Sequence, residues 1–168
     1  SMQWDNLFNY GENNTINFEK LNGVVGVFGK NYSGKSSVID SALYTIYNSI
    51  SKNNRKNLNI INQNKQAGCG RVEIDIDGKA YIIERKSEKY KKKLHGEETD
   101  EAKTDVEFSM IDPATGEETS LNSLDRNGTD KEIRKIFGTI DDFLLTSMSS
   151  QMGAMTFINE GSTKRKEI

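Results

Sequence analysis

An apolar run, LNGVVGVFG (21–29), leads into Gly29-Lys30-Asn31-Tyr32-Ser33-Gly34-Lys35-Ser36, and an apolar-periodic stretch leaves it. Few short patterns restrict a chain as tightly. The segment satisfies G-x-x-x-x-G-K-[ST] at every fixed position. Gly29 and Gly34 permit backbone angles that a Cβ forbids, and they allow close approach to a phosphate. Successive N–H groups at a helix N-terminus then form an anion nest. In such a loop the lysine, here Lys35, reaches the β- and γ-phosphates, and the hydroxyl, here Ser36, ligates Mg²⁺. Strand, loop and helix in this order predict nucleotide binding.

The flanking pattern predicts the elements. The run 21–29 has the length and composition of a strand buried on both faces. Val38, Ile39, Ala42, Leu43, Ile46, Tyr47 and Ile50 recur at helical spacing, so a helix is expected from about Lys35 to about Ser51. Two short strands around a turn are expected between Gln3 and Phe18. GRVEIDIDGKAYIIERKSEKY (70–90) alternates with period two around an Asp77-Gly78 turn, and DVEFSMIDPATGE (105–117) adds another strand. These strands predict an antiparallel hairpin region over 70–117. TDKEIRKIFG (129–138) reads as a helix with a Thr129/Glu132 capping box and a Gly138 stop. IDDFLLTSM (140–148) reads as a second short helix or a passage into a strand, and 149–159 as extended.

Composition removes several chemistries. The 168 residues hold one cysteine, Cys69, and one histidine, His95, which excludes an internal disulfide and a multi-Cys/His metal site. Net charge is −2, so DNA contact would need a local patch and not a global field. No apolar run approaches the roughly 20 residues that span a membrane. The reading is a reduced, cytoplasmic or nucleoid-associated protein without a membrane partner. Ser1 ahead of Met2 reads as a residue left by cloning before a native start. RKSEKYKKK (85–93) carries six basic residues against one acidic, and EETDEAKTDVE (97–107) six acidic against one basic. Lys86, Lys89, Lys91, Lys92 and Lys93 could touch DNA phosphates. The favoured reading is a solvated hairpin whose arms neutralise each other. Met148, Met152 and Met155 read as apolar filler, Trp4 as a strand-packing residue, and Cys69 as small packing beside a turn.

A phosphate loop alone does not hydrolyse a nucleotide. An ATPase also needs a carboxylate at a strand end for Mg²⁺ and a group that orients water. No stretch of four apolar residues followed by Asp-Glu occurs, and Asp75 falls on the polar face of a hairpin.

With these pieces in order, FGKNYSGKSSVIDSALYTIY resembles the phosphate loop and first helix of the SMC-type DNA-repair ATPases. Within them it is most similar to the ATPase component of SbcCD-type double-strand-break nucleases and their phage recombination counterparts. WDNLFNYGENNTINFEKLNGVVGVFG resembles the family's opening strands, GRVEIDIDGKAYIIERK its antiparallel hairpin, and IRKIFGTIDDFLLTSMSSQMGAMTFIN its approach to the Q-loop. GSTKRKEI resembles the turn into the long coiled coil, which would start after residue 160.

The resemblance implies an α/β P-loop NTPase of ABC/SMC type. The chain (1–168) would be the N-terminal half of a split head, with a mixed core sheet and an antiparallel β subdomain. It implies ATP and Mg²⁺ at the loop 29–37, formed by Gly29, Lys30, Asn31, Tyr32, Ser33, Gly34, Lys35, Ser36 and Ser37. Lys35 and Gln151 would be catalytic, and Ser36 and Gln151 would ligate the metal, with the Q-loop near 151. Tyr32 stands where the family has a small residue. Asn9 stands where many members have a basic one, so no phosphate role passes to Asn9. The missing C-terminal lobe would carry the signature loop, the Asp-Glu strand end and the switch histidine. Further implied partners are a second head in an ATP-dependent homodimer, a nuclease of the SbcD type and DNA. Alternative readings are a RecF-type or other SMC-like ATPase, a self-contained P-loop kinase or nucleotide switch, and a non-hydrolysing DNA-binding scaffold.

Overall fold

The computed structural model describes residues 1–51, 57–94 and 97–148. Alternating sequences build one six-stranded sheet from β1 (Met2–Asp5), β2 (Asn14–Ile16), β3 (Ala67–Ile76), β4 (Lys79–Leu94), β5 (Glu97–Ile111) and β6 (Glu118–Ser120). The spatial order is β2-β1-β3-β4-β5-β6, and every strand pair is antiparallel. The expected Asp77-Gly78 turn joins β3 to β4 with both residues at positive φ, 53° and 78°, the geometry that follows the right-handed twist of a hairpin. Asp75 is exposed on this hairpin and accepts the Gly78 N–H at 3.1 Å.

One helix, α1 (Lys35–Tyr47), covers a face of β3 and β4. Leu43, Tyr44, Ile46 and Tyr47 are buried there with Met2, Trp4, Val72, Ile83 and Phe108. Gly70 on β3 permits the close approach, because a Cβ there would collide with Thr45 Oγ1. The helix stops short of Ser51. Asn48 takes the left-handed conformation at φ 54° and donates its N–H to Tyr44 O, a cap that asparagine tolerates. Asp40 then accepts from the Ser51 N–H and hydroxyl at 2.9 and 2.6 Å and turns the chain back along the helix.

The interior polar groups are linked. Arg85 on β4 is fully buried. Its Nε donates to Thr45 O at 2.9 Å, and its Nη2 donates to Ile46 O at 3.3 Å and to Asp130 Oδ1 at 2.6 Å. Asp130 lies on α2 (Arg126–Phe137). Beside this clamp, the Tyr44 hydroxyl meets Ser87 Oγ, Ser87 meets Thr104 Oγ1, and Asn57 Nδ2 donates to Thr104. Burial pushes the Tyr44 phenol up to about 12, so it stays protonated at every physiological pH.

Three expectations need correction. The run 21–29 is not a buried strand: it joins no sheet among the described residues, and Val24, Val25, Val27 and Phe28 are exposed. Strand propensity is realised only against a pairing edge, and the described residues offer this segment none. With that strand unpaired, the expected mixed core sheet is, among the described residues, a wholly antiparallel one. The capping box does not start at Thr129. Asp125 caps α2 by accepting the Gly128 N–H at 2.8 Å, and Thr129 is buried inside the helix. Glu132 instead pairs with Lys135. The reciprocal box belongs to Thr139 and Asp142 at the start of α3 (Ile140–Thr146), and Gly138 ends α2 as expected.

The two charged stretches form the outer arms of β4 and β5, in register from Ala80↔Ile111 to Leu94↔Glu97. Lys91 and Lys93 reach Glu98 at 3.5 Å, and Lys92 reaches Glu101 at 3.3 Å. The mutual neutralisation expected from sequence is present.

Asp130→Ala leaves the Arg85 guanidinium buried without its counter-charge. We expect it to cost about 3–5 kcal/mol in urea unfolding, against less than about 1 kcal/mol for Lys91→Ala on the exposed arm.

Candidate functional site

The phosphate-loop sequence folds into a tight turn at the N-terminus of α1. Gly34 occupies the cap position at φ 93° and offers no side chain, so no side chain caps the first-turn N–H groups. The turn closes through Ser33 N–H to Lys30 O at 3.2 Å and Ser37 N–H to Gly34 O at 2.9 Å. A Cβ at Gly29 would lie 2.7 Å from Ser33 Oγ, and one at Gly34 would lie 2.7 Å from Asn9 Oδ1. A Cβ at either position would push aside the exposed end of Ser33 or Asn9, and Gly34 is required by its backbone angle.

Lys35 folds back over the loop. Its Nζ donates to Gly29 O at 2.8 Å and to Lys30 O at 2.6 Å. A single ammonium group thus sits at the mouth of the open helix end. Ser36, in the first turn, is exposed, and Asn31, Tyr32 and Ser33 are exposed on the loop crest. Tyr32 sits at φ 63°, a left-handed angle that a bulky side chain adopts only with strain.

An open cleft of about 850 Å³ lies against the loop. Asn31, Tyr32, Gly34, Lys35, Ser36 and Ser37 form one wall, so the structure brings most of the predicted residues together. Asn59, Ile61, Asn62, Gln63 and Asn64 form the other wall, with Phe8 and Asn9 at the base. The second wall was not visible in sequence, where NLNIINQNKQ (57–66) is a polar stretch without a motif. It is held by distant partners. Leu7 bridges Ile61, Asn62 N–H donates to Asn6 O at 2.8 Å, and Lys89 Nζ donates to Asn62 O and Gln63 O at 3.0 and 3.2 Å.

Open amides, one ammonium and one exposed hydroxyl can receive a polyphosphate, and the amide-rich wall offers hydrogen-bonding partners to whatever the phosphates carry. Ser36 supplies one oxygen suited to Mg²⁺. Among the described residues no group of three or more His, Cys, Asp or Glu is placed to hold a metal. Gln151, Met152 and Met155 lie outside the described residues. Asn9 contributes contact, not charge: its amide packs on Gly34 and donates to Tyr32 O at 3.5 Å.

A family profile described as an AAA domain matches residues 1–167. The chain belongs to this AAA-domain family. It is 31 % identical over 171 aligned positions to an uncharacterized protein of Acanthamoeba polyphaga mimivirus, covering 99 % of this chain and 12 % of that protein. It is 28 % identical over 160 positions to the SbcC component of the nuclease SbcCD of Clostridium acetobutylicum, covering 91 % of this chain and 13 % of that one. A shorter match, 32 % identical over 74 positions, joins 44 % of the chain to 8 % of the DNA double-strand break repair Rad50 ATPase of Sulfolobus acidocaldarius. The resemblance read from the phosphate loop and its flanking strands is thus met by homologues of the SbcC and Rad50 type. The chain spans about an eighth of the length of the first two relatives. No helix among the described residues is long and apolar enough to cross a membrane.

Gly34→Ala adds two separable costs, the left-handed backbone angle and the collision with Asn9. We expect a loss of about 1–3 kcal/mol in urea unfolding. The double variant Gly34→Ala/Asn9→Ala should recover only the steric share.

Proposed function

We propose that the chain is the nucleotide-binding lobe of a DNA-repair ATPase of the SbcC/Rad50 type. The observation that carries this is the uncapped N-terminus of α1, with Lys35 poised over it and a cleft in front of it. On this reading the triphosphate displaces Lys35 Nζ from the two loop carbonyls. The ammonium then neutralises charge on the β- and γ-phosphates, while the loop and first-turn amides not bonded within the turn orient them. Ser36 would hold Mg²⁺, which would supply further charge neutralisation at the phosphates, and Gln151 would add a ligand or orient water.

The remaining parts come from outside the chain. Val24, Val25, Val27 and Phe28 are exposed on an extended segment immediately before the loop. This supports a C-terminal lobe of the same protein, whose strands would pair with 21–29 and bring the Asp-Glu strand end beside Ser36. Closure of two such heads around ATP, a nuclease of the SbcD type and DNA complete the proposal, in the cytoplasm or on the nucleoid. The charged arms of β4 and β5 do not add to the DNA reading, because Lys91, Lys92 and Lys93 already face glutamates.

Calorimetric titration with Mg-ATP tests the proposal. Lys35→Ala should weaken binding by at least about 100-fold, roughly 2.7 kcal/mol, and unchanged affinity would overturn the nucleotide reading. The chain alone should show little turnover, and a rate near that of a complete ATPase would refute the half-site reading.

A further inference from the structure

The loop following β1 is fastened to the phosphate loop by Asn9 and by Tyr10, a side chain that no motif contains. Tyr10 stands its ring against Trp4 in an edge-to-face contact, centroids 5.2 Å apart at 85°. Trp4 is itself almost fully buried in the core. The Tyr10 backbone is held on both sides, its N–H donating to Leu7 O at 2.9 Å and its carbonyl accepting from Asn62 Nδ2 at 2.9 Å. From this fixed base the phenol reaches across to donate to Gly34 O at 3.0 Å. Burial raises the phenol above its ordinary value, so the hydroxyl remains a donor throughout the physiological range.

Gly34 O belongs to the peptide that joins Gly34 to Lys35. That peptide is trans, because the chain has no cis bonds among the described residues. In a trans peptide the carbonyl and the N–H point in opposite directions. Holding the carbonyl toward Tyr10 therefore turns the Lys35 N–H the other way. Glycine has the softest backbone of any residue, so this peptide needs an outside restraint more than its neighbours do. The Ser37 N–H is a second donor to the same oxygen. Loss of the phenol donor therefore leaves the helix start intact and loosens only the peptide's orientation.

We infer that Tyr10 is a positioning residue for polyphosphate: its hydroxyl fixes the Gly34–Lys35 peptide so that the Lys35 N–H faces the phosphate cleft. This rests on the nucleotide reading above. It also assigns a task to the loop 6–12, which packs both the phosphate-loop wall and, through Asn62, the amide-rich wall. Tyr10 thus touches both walls, one through its hydroxyl and the other through its backbone carbonyl.

Tyr10→Phe keeps the ring on Trp4 and deletes the one donor. The affinities for Mg-ATP, Mg-ADP and inorganic tripolyphosphate are measured by calorimetry on wild type, Tyr10→Phe and Lys35→Ala, with melting curves of the ligand-free proteins. The expected result is a Kd raised about five- to tenfold for all three ligands, with the ligand-free melting temperature unchanged. A purely structural tyrosine would lower the melting temperature and leave the affinities alone, and that outcome overturns the inference. So does a loss confined to ATP and ADP with tripolyphosphate unaffected, since the hydroxyl would then act at the nucleoside end. If Lys35→Ala abolishes binding while Tyr10→Phe matches wild type, only the role of Tyr10 fails. If Lys35→Ala also binds as wild type, the nucleotide reading beneath it fails.

Discussion

The guanidinium of Arg85 joins three elements that otherwise have little reason to share an orientation. It rises from β4, takes the last carbonyls of α1, and pairs with Asp130 of α2. Burying a cation is costly unless it is paired and hydrogen-bonded, and here the C-terminal end of a helix dipole supplies part of the compensation. One donor, Nη1, has no protein partner among the described residues. The stake is positional. A helix is a stiff rod, so fixing the carbonyl end of α1 fixes the height and rotation of its amide end, some 13 residues away, where the phosphate loop sits. The amide end at Gly34 is held in place by Arg85 at the far end of the rod together with the apolar face that α1 buries on the sheet.

What could be read from sequence was what local chemistry decides. The phosphate loop, the start of α1, the Asp77-Gly78 turn and the stop at Gly138 each depend on residues within one or two turns of themselves, and each is where it was expected. The neutralising arms were legible because opposite charge runs separated by a short connection have few other ways to fold. The misreadings share a cause. LNGVVGVFG has the composition of a central strand, but pairing is a property of two segments, and it has no partner among the described residues. Thr129 and Asp125 are both good cap residues, four positions apart, and the choice fell to the contact of Thr129 with the Ser123 N–H. The second wall of the cleft was invisible because amides carry no periodicity; Asn62 is placed by Asn6 and Lys89, residues far from it in the chain.

The site is likewise divided between local and distant control. The sequence motif supplies the amides, the ammonium and the hydroxyl. Their aim depends on the loop after β1, where Asn6, Phe8 and Asn13 all adopt positive φ. Phe8, a bulky residue at a left-handed angle, represents stored strain, held in place by its N–H to Ile60 O and by the neighbouring Leu7–Ile61 bridge. A motif search sees the first half of this arrangement, and only the packed structure sees the second.

The exposed segment before the phosphate loop also has a consequence for the chain as a material. Val24 to Phe28 is extended, uncharged and free of proline, in no sheet among the described residues, with its apolar side chains in water. Those are the features that promote stacking of identical segments into cross-β assemblies. Exposed in this form, the segment disposes the chain to self-association, and a partner that covered it would also shield it from that fate.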